Sequence, residues 1–378
     1  MIPLVVAAVA LVGATVLAAL IIFLARAVVY PRRSRPTHIV EVQDPDRITV
    51  SKTPLTSFSG TIGLLYSNET QLAVLSPGVD PAPTPDAVVR RLAQPARVEP
   101  GTLGRACGNV FSPSTVVAAA PVDVDVVTEA SRQPAWLYPG SGEPARVWVI
   151  HVHGMLAGRD SALRSVHALS KTGFTSLVIS YRGDGEAEDE RPTPSALGQQ
   201  EWRDLDAAVR FARAQGAERV AVVGWSMGAT IALEALTRGT DDDGIEALVL
   251  VSPAICWART IRFGMARQRI PLWLANATIW ALSTHVVARS LGLRAALALP
   301  DGMPTVSVPT LIIHSRGDST TPFDASEALA LSSPAVDLDE FPESPHAMEW
   351  NADPERFRLS TSSWLVAHLL SDRTHPDR

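Results

Sequence analysis

Hydrophobic and polar positions divide the chain into three parts with different patterns. Residues 2–25 carry no charged side chain. Between residue 36 and about residue 120, short alternating runs at 47–51 and 61–66 are separated by stretches rich in proline. From about residue 121 onwards, continuous apolar runs alternate with longer stretches of helical spacing. The pattern therefore predicts an apolar helix, a β-rich middle part and an α/β domain, in that order.

The first part is long enough to cross a bilayer as a helix. At about 1.5 Å per residue, residues 2–25 span more than a hydrocarbon layer of about 30 Å. A cleaved signal peptide, the alternative, has positive charge ahead of an apolar run of roughly 7–15 residues, and neither is present. We therefore expect a single-pass transmembrane anchor over residues 2–29. The charges that follow it are Arg26, Arg32, Arg33 and Arg35. Because cytoplasmic flanks are rich in Lys and Arg, they predict that the rest of the chain is cytoplasmic.

Prolines dominate the middle part of the chain. They stand at Pro77, Pro81, Pro83, Pro85, Pro95 and Pro100. Proline lacks a backbone N–H, so this density excludes long helices and central strands. Residues 36–120 are therefore predicted to be a β-rich, proline-rich appendage or linker.

The third part has the pattern of a sheet covered on both faces. The predicted strands cover 147–153, 175–181, 219–224, 247–252, 310–314 and 336–341. The predicted helices cover 161–172, with an N-cap at Asp160 or Ser161, and 199–214, 227–237 and 354–370. Apolar strands alternating with helices are typical of a mostly parallel sheet. Two more strands, 122–128 and 135–138, are expected to join it antiparallel, which makes residues 121–371 an α/β domain.

Composition excludes several classes of protein. The chain is 46% hydrophobic, which is too apolar for a disordered protein. A net charge of −6 without a long basic run does not favour nucleic-acid binding, which needs clustered Lys and Arg. Only two cysteines occur, Cys107 and Cys256, so the chain cannot build a disulfide framework or a cysteine-based zinc site.

A candidate nucleophile lies between a predicted strand and a predicted helix, in the motif Gly224-Trp225-Ser226-Met227-Gly228. A serine on such a tight turn has its hydroxyl held above the sheet, and the turn needs small residues two positions before and after it. Gly224 and Gly228 meet that need. The alternative is a glycine-rich turn in which Ser226 only caps the helix.

A serine nucleophile needs a histidine base and a carboxylate that orients the base, in the order serine, acid, histidine in this type of fold. The histidines after Ser226 are His285, His314, His346, His368 and His375. His314 lies within a predicted strand, and only His346 follows the last strand in a loop. We therefore predict that His346 is the base, the alternative being a surface histidine.

The acid is identified by elimination. No Asp or Glu occurs between residues 247 and 300 that could follow the strand at 247–252. Asp318 is the first carboxylate after the strand at 310–314, and Asp324 is a poorer candidate because it can cap the following helix. Asp318 is therefore the predicted acid, with a simple turn residue as the alternative.

An acyl-transfer intermediate needs two backbone N–H donors for its oxyanion. Met227, at the start of a helix, is one candidate, and Met155, in the turn His153-Gly154-Met155, is the other. His151 and His153 could instead be metal ligands, but the sequence suggests no third ligand nearby. We expect no metal and no organic cofactor.

These motifs together resemble those of the α/β-hydrolases over residues 122–370. The resemblance rests on the His-Gly turn, Tyr181-Arg182-Gly183-Asp184-Gly185, Gly-Trp-Ser-Met-Gly, Gly-Asp and Pro-His in order. It is strongest to membrane-anchored serine hydrolases with a small helical cap, which include acylglycerol lipases and protein thioesterases. The resemblance implies that Ser226, Asp318 and His346 form the catalytic triad, that Met155 and Met227 are the oxyanion donors, and that about 255–303 form the cap.

The expected function is hydrolysis of a carboxylic ester or thioester, of a lipid or an acylated substrate, through an acyl-enzyme. A prolyl-oligopeptidase-like peptidase is an alternative, although residues 36–120 are too few for a propeller. A non-catalytic membrane-binding module on a hydrolase fold is another. The cap carries Trp257, Trp273 and Trp280 with six arginines, which predicts either a simple lid with solvated arginines or a lid that also rests on the membrane.

Overall fold

Helix α1 (Ile2–Val29) opens the chain and projects from the rest of the molecule. The computed structural model describes residues 2–32, 36–44, 46–187, 193–239 and 244–370, so Arg33, Arg35 and His375 lie outside it. By length and composition α1 could cross a membrane, and a signal sequence near the N-terminus would have the same properties. Residues 2–20 of this helix are exposed, but Leu24, Ala25 and Val29 are buried against helices further along the chain.

Strands of the middle part form an antiparallel sheet, with the order β4-β3-β7-β1-β2-β6-β5 across the described residues. They are β1 (Thr37–Asp44), β2 (Arg47–Ser51), β3 (Ile62–Tyr66), β4 (Gln71–Leu75), β5 (Asp80–Pro81), β6 (Ala87–Arg91) and β7 (Leu103–Cys107). The sheet has its own apolar core, which includes Ile48, Leu64 and Leu75. Within it, the buried guanidinium of Arg90 donates to the carbonyl oxygens of Thr56, Phe58, Gly60 and Ser76. We call this unit the N-terminal sheet.

A larger sheet follows, with the order β15-β14-β13-β12-β10-β11-β9-β8 across the described residues. Its strands are β8 (Val122–Val127), β9 (Arg132–Tyr138), β10 (Val147–Val152), β11 (Thr175–Ile179), β12 (Arg219–Trp225), β13 (Ala247–Val251), β14 (Thr310–Ser315) and β15 (Val336–Phe341). The six strands from β10 to β15 run parallel, and β9 pairs antiparallel with β11 and β8.

Helices cover both faces of this larger sheet. They are α2 (Leu163–Leu169), α3 (Trp202–Ala214), α4 (Met227–Arg238), α5 (Trp257–Arg267), α6 (Leu272–Leu282), α7 (His285–Ser290), α8 (Phe323–Ser332), α9 (Glu349–Ala352) and α10 (Pro354–Leu369). Successive strand residues pack on opposite sides, since Ile150 joins the core under α3 and α4 whereas Val149 joins the core under α2 and α10. Helices α5–α7, residues 257–290, lie between β13 and β14, within the predicted cap at about 255–303, and we call them the cap.

The predicted start of α2 was wrong. A 3₁₀ turn occupies Arg159–Ala162, α2 begins at Leu163, and no side chain caps it. The carboxylate of Asp160 accepts a hydrogen bond from Asn109 Nδ2 and is therefore not a helix cap. This contact joins the domain to the segment that follows the N-terminal sheet.

Candidate active site

Ser226 lies on a sharp turn between β12 and α4. Its backbone has φ +53° and ψ −111°, a conformation that costs a non-glycine residue about 1–3 kcal/mol. Crowding at the turn explains the flanking glycines. A Cβ on Gly224 would lie 2.6 Å from the carbonyl oxygen of Gly228, and a Cβ on Gly228 would run into the carbonyl oxygen of Val152. The side chain of Ser226 does not cap α4.

His346 reaches the serine from the loop after β15. Its Nε2 lies 2.8 Å from Ser226 Oγ, and its Nδ1 lies 2.6 Å from Asp318 Oδ2. Three residues separated by up to 120 positions in the chain thus form one hydrogen-bonded line. The structure brings together the three residues that the sequence singles out as nucleophile, acid and base.

The carboxylate of Asp318 is buried in the turn after β14. Its Oδ2 also accepts a hydrogen bond from Thr321 Oγ1 at 2.7 Å and lies 3.1 Å from His314 Nε2. Its Oδ1 accepts from the backbone N–H groups of Thr320 and Thr321. His314 was not expected at the site because it lies within a strand. In the structure it contacts the same oxygen of Asp318 as His346, a contact for which the spacing His314-x-x-x-Asp318 was a signal.

Asp324 takes no part in this line of residues. It lies in the first turn of α8, whose N-cap is Pro322, so Asp324 is not the N-cap of that helix.

Charge and burial act in opposite directions on the histidine and the acid. Burial disfavours the imidazolium of His346, but the charge and hydrogen bond of Asp318 outweigh it and raise the pKa of His346 above 6.5. Burial also opposes ionisation of Asp318. Its two neighbours His346 and His314 outweigh that effect and hold the pKa of Asp318 far below its ordinary value. The pair therefore favours an ionised acid beside a base of raised basicity.

The His153-Gly154-Met155 turn lies against Ser226, because a Cβ on Gly154 would be 3.2 Å from the Cβ of Ser226. The motif at 181–185 supports this turn. Tyr181 OH donates to the carbonyl oxygen of Gly154 at 3.0 Å, and Asp184 Oδ2 lies 3.1 Å from His153 Nε2. Met155 therefore lies close to Ser226 and lines a cavity with it, and Met227 follows Ser226 directly in the chain.

His151 in β10 and His153 just after it have protein partners on both ring nitrogens. His151 lies between Ser165 Oγ and Ser176 Oγ, and burial lowers the pKa of His151 to about 3. The ring of His153 contacts Asp184 and the carbonyl oxygen of Gly154. These hydrogen bonds account for both residues without a metal.

Two cavities meet at Ser226 and His346. The first, which we call the apolar cavity, has a volume of about 390 Å³ and lies between the end of α1 and cap helix α5. The second, the polar cavity, has a volume of about 210 Å³ and is bounded by the N-terminal sheet. Its charged and polar lining side chains include Arg105, Asn109, Asp160 and Arg164. The middle part of the chain therefore contributes to the site, although its sequence showed no sign of such a role.

Asn351 connects the N-terminal sheet to the loop that carries His346. Its Nδ2 donates to the carbonyl oxygens of Thr61 at 2.9 Å and Gly108 at 3.0 Å. Arg164 Nη1 donates to Asn351 Oδ1 and to the carbonyl oxygen of Ala347, both at 2.6 Å. Asn351 is 1% exposed, so these bonds replace its contacts with water.

Comparison with known proteins gives a family-model match over part of the chain and one fold. Residues 143–290 match the family model described as serine aminopeptidase, S33. An AB hydrolase superfamily protein of Bacillus subtilis, YisY, is 26% identical over 239 residues, which cover 55% of this chain and 86% of the relative. An uncharacterized protein of Escherichia coli, YfhR, is 27% identical over 208 residues, 53% of this chain and 64% of that relative.

The solved structure of an esterase from Pyrococcus furiosus superimposes on 69% of this chain and 95% of its own, with a TM-score of 0.52 and 19% identity. The chain has the fold of the α/β-hydrolases. The predicted fold class is thereby confirmed. Within this α/β-hydrolase fold, Ser226 occupies the turn after a central strand, and the cap and α1 lie over the carboxyl ends of the strands.

Proposed function

We propose that this α/β hydrolase is a serine esterase that cleaves a carboxylic ester or thioester through an acyl-enzyme. The observation that carries the proposal is the line Ser226–His346–Asp318, with heavy-atom distances of 2.8 Å and 2.6 Å. A nucleophile within hydrogen-bond reach of a base, and a base oriented by a buried carboxylate, are the arrangement that such chemistry needs.

In the proposed mechanism, Ser226 Oγ attacks the substrate carbonyl while His346 Nε2 takes its proton. The oxyanion is stabilised by the N–H groups of Met227 and Met155, each of which is worth about 3–4 kcal/mol in such sites. His346 then gives the proton to the leaving alcohol or thiol. Water, activated by the same histidine, releases the acid from Ser226. Asp318 stays ionised and stabilises the imidazolium.

A fluorophosphonate reagent and a short-chain nitrophenyl ester test this proposal. Ser226→Ala should abolish labelling and lower kcat by about 10⁴-fold or more, with the thermal midpoint within a few degrees. His346→Ala should have a comparable effect on kcat. The matched control is Ser319→Ala, an exposed serine next to Asp318 that lines neither cavity. If Ser226→Ala keeps its activity within tenfold of the unchanged protein, Ser226 is not the nucleophile. EDTA should leave the rate unchanged.

A peptidase is the second candidate, because the matching family model is named for a serine aminopeptidase. An aminopeptidase must bind the substrate's ammonium group, and a carboxylate is the group suited to it. Among the described residues that line the apolar cavity there is no Asp or Glu, and the carboxylate that lines the polar cavity, Asp160, is already bonded to Asn109. We therefore favour an ester over a peptide as the substrate. Faster turnover of leucine nitroanilide than of nitrophenyl butyrate would favour the peptidase instead.

We also propose that α1 anchors the protein in a membrane with the hydrolase domain on the cytoplasmic side. Support comes from the uncharged residues 2–25 and from Arg26 and Arg32 after them. The full chain, expressed in bacteria, should stay in the membrane pellet after a carbonate wash. Protease should digest the domain in inverted vesicles and spare it in right-side-out vesicles. Release by carbonate, or loss of α1 from the mature chain by mass, would contradict the anchor.

A further inference from the structure

The apolar cavity has an unusual wall for the site of a hydrolase, since part of it is the chain's own apolar N-terminal helix. Leu24, Ala27 and Val28 of α1, with Pro31 just after it, line the cavity together with Ser226 and His346. Cap helix α5 forms the facing wall through Trp257, Ile261, Gly264 and Met265. The segment predicted to be only an anchor therefore reaches the candidate nucleophile.

Specific contacts fix the end of α1 in the domain. Leu24, Ala25 and Val29 pack in one apolar cluster with cap residues of α5 and α6. The carbonyl oxygen of Val29 accepts a hydrogen bond from the N–H of Ser195 at 2.9 Å. Tyr30 OH donates to the carbonyl oxygen of Leu291 at 3.1 Å. These bonds hold the wall in place relative to both the core and the cap.

The length of the exposed part of α1 locates the cavity relative to a bilayer. Residues 2–20 are exposed, and at about 1.5 Å per residue they extend about 28 Å, close to the thickness of a hydrocarbon layer. The domain begins to contact α1 at residues 21–24. A bilayer that holds the exposed part would therefore end where the cavity begins.

The cap helix next to α1 has exposed apolar and aromatic side chains, as expected near a membrane–water interface. Helix α6 packs on α1, and its outward residues Leu272, Trp273 and Trp280 are 62%, 58% and 70% exposed. Tryptophan is enriched at membrane–water interfaces. Arg262, one of the six arginines of the predicted cap, is bonded to Asp301 and Asn276 and is therefore not a free charge for membrane contact.

We propose that the last turns of α1 form part of the acyl-binding site, and that the substrate is an ester with a long acyl chain supplied by the same bilayer. The proposal rests on the proposed esterase function and specifies its substrate. A carbonyl at Ser226 would place its acyl chain between α1 and α5. The chain would then pass from lipid into the apolar cavity without crossing water.

Variants that fill the cavity from either wall test the proposal in the full chain, held in phosphatidylcholine nanodiscs. Ala27→Phe should lower the ratio of kcat/KM for nitrophenyl laurate to kcat/KM for nitrophenyl butyrate by tenfold or more. Gly264→Leu should give the same pattern from the cap side. A Cβ on Gly264 meets no atom within 4 Å, so this variant should fold normally. The matched control, Ala19→Phe, adds the same side chain to the exposed part of α1 and should change neither rate.

The outcomes separate this proposal from the proposed function. Suppose that the unchanged protein hydrolyses the butyrate ester and that the laurate rates are the same in all variants. The proposal that α1 lines the acyl-binding site is then wrong, and the proposed esterase function is not affected. No turnover of either ester and no fluorophosphonate labelling overturns the esterase itself. If Ala27→Phe lowers the thermal midpoint, Gly264→Leu decides the question.

A covalent probe gives a second readout that does not depend on rates. A fluorophosphonate with a twelve-carbon chain and a terminal diazirine would be attached to Ser226 and then illuminated. We expect cross-links to the tryptic peptide 27–32 as well as to α5. Cross-links confined to the cap, with none in α1, would overturn the proposal.

Discussion

The carboxylate of Asp318 has several hydrogen-bond partners at once. Among the described residues, its Oδ2 is in contact with His346, His314 and Thr321, and its Oδ1 accepts two backbone N–H groups. The carboxylate therefore has a fixed orientation before any substrate binds. Because His346 Nδ1 lies against this carboxylate, it carries the proton, and Nε2 is left free to accept one from Ser226.

The raised pKa of His346 predicts the pH dependence of the reaction. The base must be neutral to accept a proton, so kcat/KM should rise with pH through the folded-state pKa of His346 and then level off. Since Asp318 raises this pKa, the midpoint should lie above 6.5. A pH–rate profile with nitrophenyl butyrate gives the measurement.

Replacing the acid supplies the control for this profile. Asp318→Asn removes the charge that raises the pKa, so the limb should move to lower pH while kcat falls by about 10⁴-fold. A midpoint that stays in place in Asp318→Asn, or a rate independent of pH from 5 to 8, would count against His346 as the base.

Strands and helices that form because of residues nearby in the chain could be predicted from the sequence. The run before Gly224 is apolar and short, and the glycines leave room for a sharp turn, so β12, Ser226 and α4 were predictable from local pattern alone. The last strand, Val336–Phe341, also has the predicted bounds. Order along the chain then selected His346 and Asp318, because parallel strands end at one edge of the sheet.

Elements whose character depends on distant residues could not be predicted in this way. Asp160, a predicted cap of α2, instead bonds to Asn109, which lies 51 residues earlier in the chain, and α2 begins at Leu163. The end of α1 has the same apolar composition as its beginning, so nothing in the sequence distinguishes the turns that pack on the cap from those that are exposed. The seven strands described in 37–107 also depend on pairing between distant segments, such as β1 with β7.

At the scale of the whole molecule, the buried side chain of Asn351 joins the N-terminal sheet to the hydrolase domain. It joins Thr61 and Gly108 to the loop that carries His346. Asn351→Ala leaves part of the hydrogen bonding of buried Arg164 unsatisfied, which costs about 1–3 kcal/mol, and frees the loop. We expect kcat to fall about 10–100-fold with KM within about twofold, measured with nitrophenyl butyrate.

A matched variant separates this positioning role from a general loss of stability. Asn276→Ala also removes an arginine–asparagine hydrogen bond, the one from Arg262 Nε at 2.7 Å, but it lies in the cap. It should leave kcat within twofold. If Asn351→Ala lowers the thermal midpoint without changing kcat at 25 °C, Asn351 is only a structural contact.

The two cavities beside Ser226 would send the two products of cleavage in different directions. One cavity is apolar and opens beside α1, and the other is polar and borders the N-terminal sheet. If α1 spans the membrane and the domain is cytoplasmic, as proposed, a fatty acid would return to the lipid bilayer. A water-soluble leaving group would diffuse into the cytoplasm. Each product would thus be diluted in a different phase, so neither would accumulate at the serine and slow the next turnover.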